Sequence, residues 1–566
     1  MKNYRKYIFI VVVLTFFDVM TGLYLPNLMS KIVNNGIIVG DYKYIVSVGL
    51  KMLVLAVLAS ISMVSSSYFS ARATMGFSRD IREDVFSHVS SFSLEEFNRI
   101  GTSSLITRTT NDINQLQQVF LMSMRMMLRA PLMLFGGLIM AFTNNPRLSI
   151  LILIAMPILV VTVYLVGRKG FPLFGQVQES IDGLNLILRE KLTGVRVIRA
   201  FDRVDYERER FGQASRSLSD ISLKVDRIML VLFPLINLIL NFTIIGVIWF
   251  GAREVDLGNM FIGDIMAFIQ YVMLSMFSIV MFSVIFVVVP RAVASNRRIQ
   301  ELMDIEPSLL DRPGAQDLDS IDSLEFRDVV FSYPHAERDV LCKINFSLKA
   351  GESLAIIGGT GSGKTSLVNL IPRFYDVSGG SILINGRDIR DYRQEDLRQR
   401  IGFVAQKSML FSGSIKDNIL RGREGASQEE LRQAADIAQA RDFIEGLEAG
   451  YNSVVAQGAT NFSGGQKQRL SIARAIIRQA DLYIFDDSFS ALDAQTDARL
   501  RMRLNEELAG AMKIIVAQRV SSVMDADRIL VLDDGLMVGY GSHRELVKDN
   551  KVYREIVKSQ LPEEEI

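Results

Sequence analysis

The sequence predicts an α-helical membrane domain of six transmembrane helices that extend into the cytoplasm, followed by an α/β domain built around a phosphate-binding P-loop. Three observations predict it. Almost every long charge-free run lies before residue 291. At a rise of about 1.5 Å per helical residue, those runs are long enough to span a hydrocarbon core of about 30 Å. Gly358–Thr365, GGTGSGKT, fits G-x-x-x-x-G-K-[ST] between an apolar strand candidate, Ser353–Ile357, and the helical run SLVNLI.

Composition narrows the partners. The 566 residues carry 63 Lys+Arg against 62 Asp+Glu, so no overall basic field is available to attract nucleic acid. Cys342 is the only cysteine and His88, His335 and His543 the only histidines, which excludes an internal disulfide and argues against a zinc site. Cys342 reads as a small apolar residue beside a strand.

The membrane domain is placed at residues 1–302, with helices over about 7–30, 44–71, 127–146, 148–167, 228–252 and 265–290. Only Asp18 is charged between Lys6 and Lys31, and this first run is too long, and lacks the cleavage pattern, to be a signal peptide. The third and fourth helices form a hairpin around Thr143–Pro146, TNNP, and Arg253, Glu254 and Asp256 separate the last two. Lys2, Arg5 and Lys6 precede the first helix, Arg72, Arg79 and Arg82 follow the second, and Arg168 and Lys169 follow the fourth. The positive-inside rule therefore puts the N-terminus and the P-loop domain in the cytoplasm. The long charged segments 72–125 and 168–225 are nearly free of proline and read as helices continuing past the bilayer. Asp18 has two readings, a group facing a substrate cavity or one bonded to a neighbouring helix, because a charge in hydrocarbon costs at least about 2.5–3.5 kcal/mol. Met266, Phe268, Met273, Met276, Phe277, Met281 and Phe282 suit either an adaptable apolar cavity or packing against lipid.

Residues 303–320 break the apolar pattern and form the linker; 321–566 form the nucleotide-binding domain. In the P-loop, the backbone N–H groups of Gly358, Gly359, Thr360, Gly361, Ser362 and Gly363 turn toward phosphates and Lys364 adds a point charge. Thr365 ligates Mg²⁺, and Ser366 continues into the helix. LYIFD, ending at Asp486, is an apolar strand closed by a carboxylate, the form of a Mg²⁺-holding Walker B aspartate. FSGGQKQR, Phe462–Arg469, is a glycine turn opening a helix and reads as a second backbone anion site. Two chains facing head to tail would pair the P-loop of one with this turn of the other.

Over practically the whole chain these motifs resemble the ATP-binding cassette (ABC) exporters of the half-transporter type. The resemblance implies that ATP and Mg²⁺ are the cofactors, that Tyr333 stacks on adenine, and that Gln406 lies near Mg²⁺ with Thr365 and Asp486. It also implies that Ser463, Gly464, Gly465 and Gln466 form a signature used in trans, and that Ser490–Asp493, SALD, crosses the dimer interface. Gly101–Asp112 and Thr193–Phe201 resemble segments that carry or adjoin the coupling helices. Two positions depart from the family pattern: Asp487 stands where the catalytic Glu follows Walker B, and Gln518 stands where the switch His contacts the γ-phosphate. Asp487 is one methylene short, and Gln cannot carry positive charge. The expectation is the degenerate-site subunit of a heterodimeric exporter in a bacterial cytoplasmic membrane. It moves small hydrophobic or amphipathic compounds, and its signature completes the partner subunit's catalytic site. A lipid or peptide exporter, and a homodimeric ATP-gated membrane regulator, remain the alternatives.

Overall fold

The computed structural model describes residues 4–334 and 336–560; Lys2 and His335, named above, lie outside the described residues. The chain divides into two compact units, Met1–Ser90 with Thr102–Glu306 and Ser91–Gly101 with Pro307–Ile566. The short segment between the second and third helical spans thus belongs to the second unit.

Among the described residues of the first unit, six helical spans are each long and apolar enough to cross a membrane: Arg5–Ile37, Tyr42–Ser90, Thr102–Asn144, Pro146–Thr193, Val204–Asp256 and Ile262–Met303. Each outruns its apolar stretch, because charged, proline-poor turns continue the helix; residues 72–90 and 204–225, for example, are helical throughout. The turn after the third span follows from its sequence. Asn145 caps the fourth span by accepting from Arg147 N at 3.0 Å and Leu148 N at 3.1 Å, and Pro146 occupies the first helical position, where its missing N–H is no loss. The fifth span breaks at Val231, just ahead of Pro234, whose ring nitrogen cannot bond the Leu230 carbonyl.

Asp18 is buried at 8 % exposure and pairs with Arg129 of the third span at 3.3 Å. Of its two sequence readings, the structure displays a link to a neighbouring helix. Arg129 falls inside the expected third helix, and nothing in either run of sequence marks it as the partner of Asp18. Beside the pair, Thr15 Oγ1 and Ser66 Oγ lie 3.2 Å apart, tying the first span to the second.

The second unit is α/β. Its strands are β1 (Ser323–Phe331), β2 (Leu341–Lys349), β3 (Ser353–Gly358), β4 (Gly379–Ile384), β5 (Arg387–Asp388), β6 (Ile401–Val404), β7 (Gly413–Ser414), β8 (Val454–Val455), β9 (Leu482–Asp486), β10 (Met512–Val516), β11 (Arg528–Asp533) and β12 (Leu536–Gly541). Ten form one sheet in the order β5-β4-β1-β2-β12-β11-β3-β10-β9-β6, and β7 pairs with β8. The β5-β4-β1-β2 wing is antiparallel, whereas β11, β3, β10, β9 and β6 run parallel. Strands covered on both faces read as continuous apolar runs, and β9, LYIFD, is buried at every residue.

Register places the site. Val516 of β10 stands opposite both Ile356 of β3 and Asp486 of β9, and Val404 of β6 stands opposite Phe485. The carboxyl ends of four strands therefore finish at one level, where open α/β sheets bind ligands. The P-loop, Gln406, Asp486, Asp487 and Gln518 all emerge there.

Candidate nucleotide-binding site

The P-loop backbone is one that side chains would obstruct. Gly363 has φ +96° and precedes the helix Lys364–Leu370; a Cβ there would come within 3.0 Å of the Val340 carbonyl. At Gly358 a Cβ would collide with the Leu532 carbonyl. Lys364 is buried, and its Nζ donates to Gly358 O at 2.9 Å and Gly359 O at 2.6 Å, so the ammonium sits within the loop it serves. Burial pushes its pKa down, and the carboxylates of Asp487 and Asp486 oppose that shift.

Thr365 Oγ1 donates to Asp486 Oδ1 at 3.2 Å, which joins the last P-loop residue to the end of β9. One hydroxyl and one carboxylate fit Mg²⁺, an ion that keeps several waters and takes its other oxygens from phosphates. Among the described residues no group of three or more His, Cys, Asp or Glu could hold a metal on its own, so the donor set fits an ion carried in with a nucleotide. Burial pushes the Asp486 carboxyl above its usual range, while the Thr365 bond pulls it back. A carboxyl with a raised folded-state pKa binds its proton more readily folded than unfolded. Ligand-free stability therefore falls as pH rises from the unfolded value through the raised one and stays lower above it. Asp486→Asn is accordingly expected to raise the melting temperature of the ligand-free chain at neutral pH. The same change should weaken Mg²⁺-dependent ATP binding by more than about 10-fold, since losing even an outer partner of a metal site costs that much. Differential scanning fluorimetry and ATP titration with and without Mg²⁺ measure the two effects.

Asp487 lies just beyond β9 in the left-handed region, φ +45°, where Asp is better tolerated than longer side chains. Its Oδ2 accepts from Gln406 Nε2 at 3.4 Å and from Gln518 Nε2 at 3.2 Å. The residue in the usual base position is thus held by two carboxamides, one of them at the switch position. Gln518 is positioned in turn by Gln560 at the end of the last described helix, which donates to Gln518 O at 2.9 Å and accepts from Val520 N at 2.8 Å. Sequence reading missed Gln560, which lies 42 residues from Gln518 in no motif.

Tyr333 is half-buried, and its hydroxyl lies 2.9 Å from Ser366 Oγ on the P-loop helix. The glycine turn folds as expected: exposed Ser463 caps the helix Gly464–Ile476, with Gln466 N donating to Ser463 Oγ at 3.3 Å and Gln466 Oε1 accepting from Ser463 N at 2.9 Å. Phe462 is buried in the core beneath it, and Gln468 Oε1 accepts from Ala491 N at 3.2 Å, linking this helix to SALD.

Six membrane-crossing helices joined to a P-loop domain with a separate glycine turn define a half-transporter driven by nucleotide. Comparison with known proteins agrees. The family model for the ABC transporter transmembrane region matches residues 8–280, and that for the ABC transporter matches 341–490. An uncharacterized ABC transporter ATP-binding protein, Rv1273c of Mycobacterium tuberculosis, is 38% identical over 99% of this chain and 97% of its own. YfiB of Bacillus subtilis, another uncharacterized ABC transporter ATP-binding protein, is 36% identical over 100% and 98%. An ATP-dependent lipid A-core flippase of Desulfotalea psychrophila is 35% identical over 83% and 82%. A solved bacterial Atm1-family ABC exporter with ATP bound superposes at a TM-score of 0.81, with 25% identity and 99% of both chains covered. The chain belongs to the ABC transporter family. It is a multi-pass membrane protein of the exporter fold and an ABC exporter half-transporter.

Proposed function

We propose that this chain is the degenerate-site subunit of a heterodimeric ABC exporter in a bacterial cytoplasmic membrane, with its N-terminus and ATP-binding domain in the cytoplasm. Its own site binds ATP with Mg²⁺ and turns it over slowly, while Ser463–Gln466 complete the partner subunit's site. One observation carries this reading: Asp487 and Gln518, the two residues that depart from the family pattern, are bonded to each other at 3.2 Å. A short carboxylate held sideways by two carboxamides is poorly placed to polarise water, and a carboxamide supplies no positive charge to a γ-phosphate. Thr365 and Asp486 hold Mg²⁺, which neutralises phosphate charge when bound. The P-loop amides and Lys364 clamp the triphosphate, and Tyr333 lies against the adenine. Differential affinity for ATP between two arrangements of the domains then drives alternating access.

The cargo is a hydrophobic or amphipathic compound. The lipid A-core flippase among the relatives supports a lipid. Two preparations test the assignment: the chain purified alone, and the chain co-expressed with a half-transporter that has Glu after Walker B and His in its switch. Only the pair is expected to show ATPase activity and ATP-dependent dye uptake into inverted vesicles. A homodimer with full activity overturns the heterodimer, and ATP binding by the pair without uptake favours the regulator.

A further inference from the structure

Three rings close a triangle beside the P-loop helix. Centroids lie 4.9 Å apart for Phe331 and Tyr333, 5.6 Å for Phe331 and Tyr375, and 5.4 Å for Tyr333 and Tyr375, whose planes are perpendicular at 89°. Two corners are restrained. Phe331 is buried at the end of β1, and Tyr333 is bonded through its hydroxyl to Ser366. The third corner points elsewhere: the buried ring of Tyr375 carries a hydroxyl that accepts from Asn98 Nδ2 at 3.1 Å.

Asn98 is exposed on the helix Leu94–Ile100, inside the Ser91–Gly101 segment that joins the second and third spans. The start of this helix is fastened independently. Glu96, 3 % exposed, accepts from Ser93 N at 2.7 Å and from Ser308 N at 3.2 Å, and Ser93 Oγ lies 3.0 Å from Ser308 Oγ. The Tyr375–Asn98 bond is therefore a second attachment, at the far end. Packing alone does not call for it, because Phe would fill the space of the Tyr375 ring equally well.

We propose that Tyr375 is a positioning residue that makes the Ser91–Gly101 segment respond to the base of the bound nucleotide. This rests on the reading that Tyr333 stacks on adenine. A close-packed cluster transmits displacement instead of absorbing it. When Tyr333 turns to lie against a base, its edge contact with Tyr375 has to change; Phe331 blocks one way out, and the shift reaches Asn98 through the phenol hydroxyl. A triphosphate without a base engages Lys364, Thr365 and the loop amides but leaves Tyr333 where it is. The segment that leads into two membrane spans thus distinguishes a complete nucleotide from a bare polyphosphate.

Hydrogen–deuterium exchange on the full-length chain in nanodiscs tests this, comparing saturating Mg·ATP with saturating Mg·tripolyphosphate. In the unaltered chain, ATP is expected to slow exchange in residues 91–101 by about threefold to tenfold more than tripolyphosphate does, the scale of one neutral hydrogen bond. The two ligands should protect the P-loop alike. Tyr375→Phe keeps the ring and removes the bond, so the difference at 91–101 should vanish while P-loop protection persists. Asn98→Ala, at an exposed position, should do the same without touching the ring cluster. Base-dependent protection that survives both substitutions, or that is missing from the unaltered chain, overturns the proposal. Tyr333→Ala tests the stacking reading separately. It should weaken ATP by about tenfold and leave tripolyphosphate unchanged, as expected for loss of base–aromatic stacking, and equal loss of both refutes the stacking reading itself.

Discussion

Asp487→Glu combined with Gln518→His is expected to raise ATP hydrolysis at this chain's site by about 10²-fold, the size of effect that a misplacement of about 1 Å produces. The measurement requires the heterodimer with the partner's P-loop lysine replaced, so that only this site turns over. Two terms compete. The longer carboxylate restores reach to the attacking water, and 10²-fold corresponds to about 2.7 kcal/mol of barrier. Against it, position 487 has φ +45°, where a longer side chain costs about 1–2 kcal/mol. That strain acts on folding, not on the barrier, so the variant should melt a few degrees lower while hydrolysing faster. Gln518→His contributes in two ways: it removes one of the two carboxamides that hold the carboxylate, and it supplies a group that can be charged. The advantage of the double variant over Asp487→Glu alone should grow as pH falls through about 6.5, where imidazole takes up its proton. A flat pH comparison would assign the gain to reach alone. No gain at all would mean that these two residues are not what limits the site.

Much of this site was legible in the sequence because it is local. A P-loop, a strand closed by Asp486 and a glycine turn each compress their chemistry into a few consecutive residues, and parallel strand register brings their ends together at one edge. The six helices were legible for the same reason, since the bilayer demands an unbroken apolar run from each. What escaped depends on residues far apart in the chain. Arg129 as the partner of Asp18 follows from how the first and third spans pack, not from either run of sequence. The grip of Gln560 on Gln518 and Val520 spans some forty residues of unrelated sequence. Gly101–Asp112, which resembles a segment that carries or adjoins a coupling helix, is directly preceded by the helix Leu94–Ile100 of the second unit; its Ser93–Glu96 capping box stands in the sequence as SLEE, whereas its bonds to Ser308 and Tyr375 join residues far apart in the chain. The positive φ at Asp487 has no sequence signal beyond the residue itself: Asp is among the few types that accept it.

Ser463→Asp is expected to lower turnover at the partner subunit's site by about 10²-fold or more while leaving ATP binding to this chain unchanged. The choice of substitution matters, because the proposal gives Ser463 a second job beside its cap. Within the chain its hydroxyl caps the helix Gly464–Ile476, and losing the cap to Ala would cost about 1 kcal/mol of local stability. In the proposed heterodimer the same hydroxyl, with the turn's amides, would face the γ-phosphate bound by the partner. Ala removes both functions and cannot separate them. Asp is as good a cap as Ser, so the helix stays formed, yet it sets a negative charge where the partner's phosphate must sit. Removing a single donor of this kind typically costs about 10²–10³-fold, and a like charge adds to that loss. Photolabelling each subunit with an azido-ATP, beside the ATPase rate of the pair, gives the outcome. Normal labelling of this chain with collapsed turnover supports head-to-tail sharing. If Ser463→Asp is fully active while Ser463→Ala is impaired, the serine is only a helix cap, and Ser463–Gln466 take no part in the partner's catalysis.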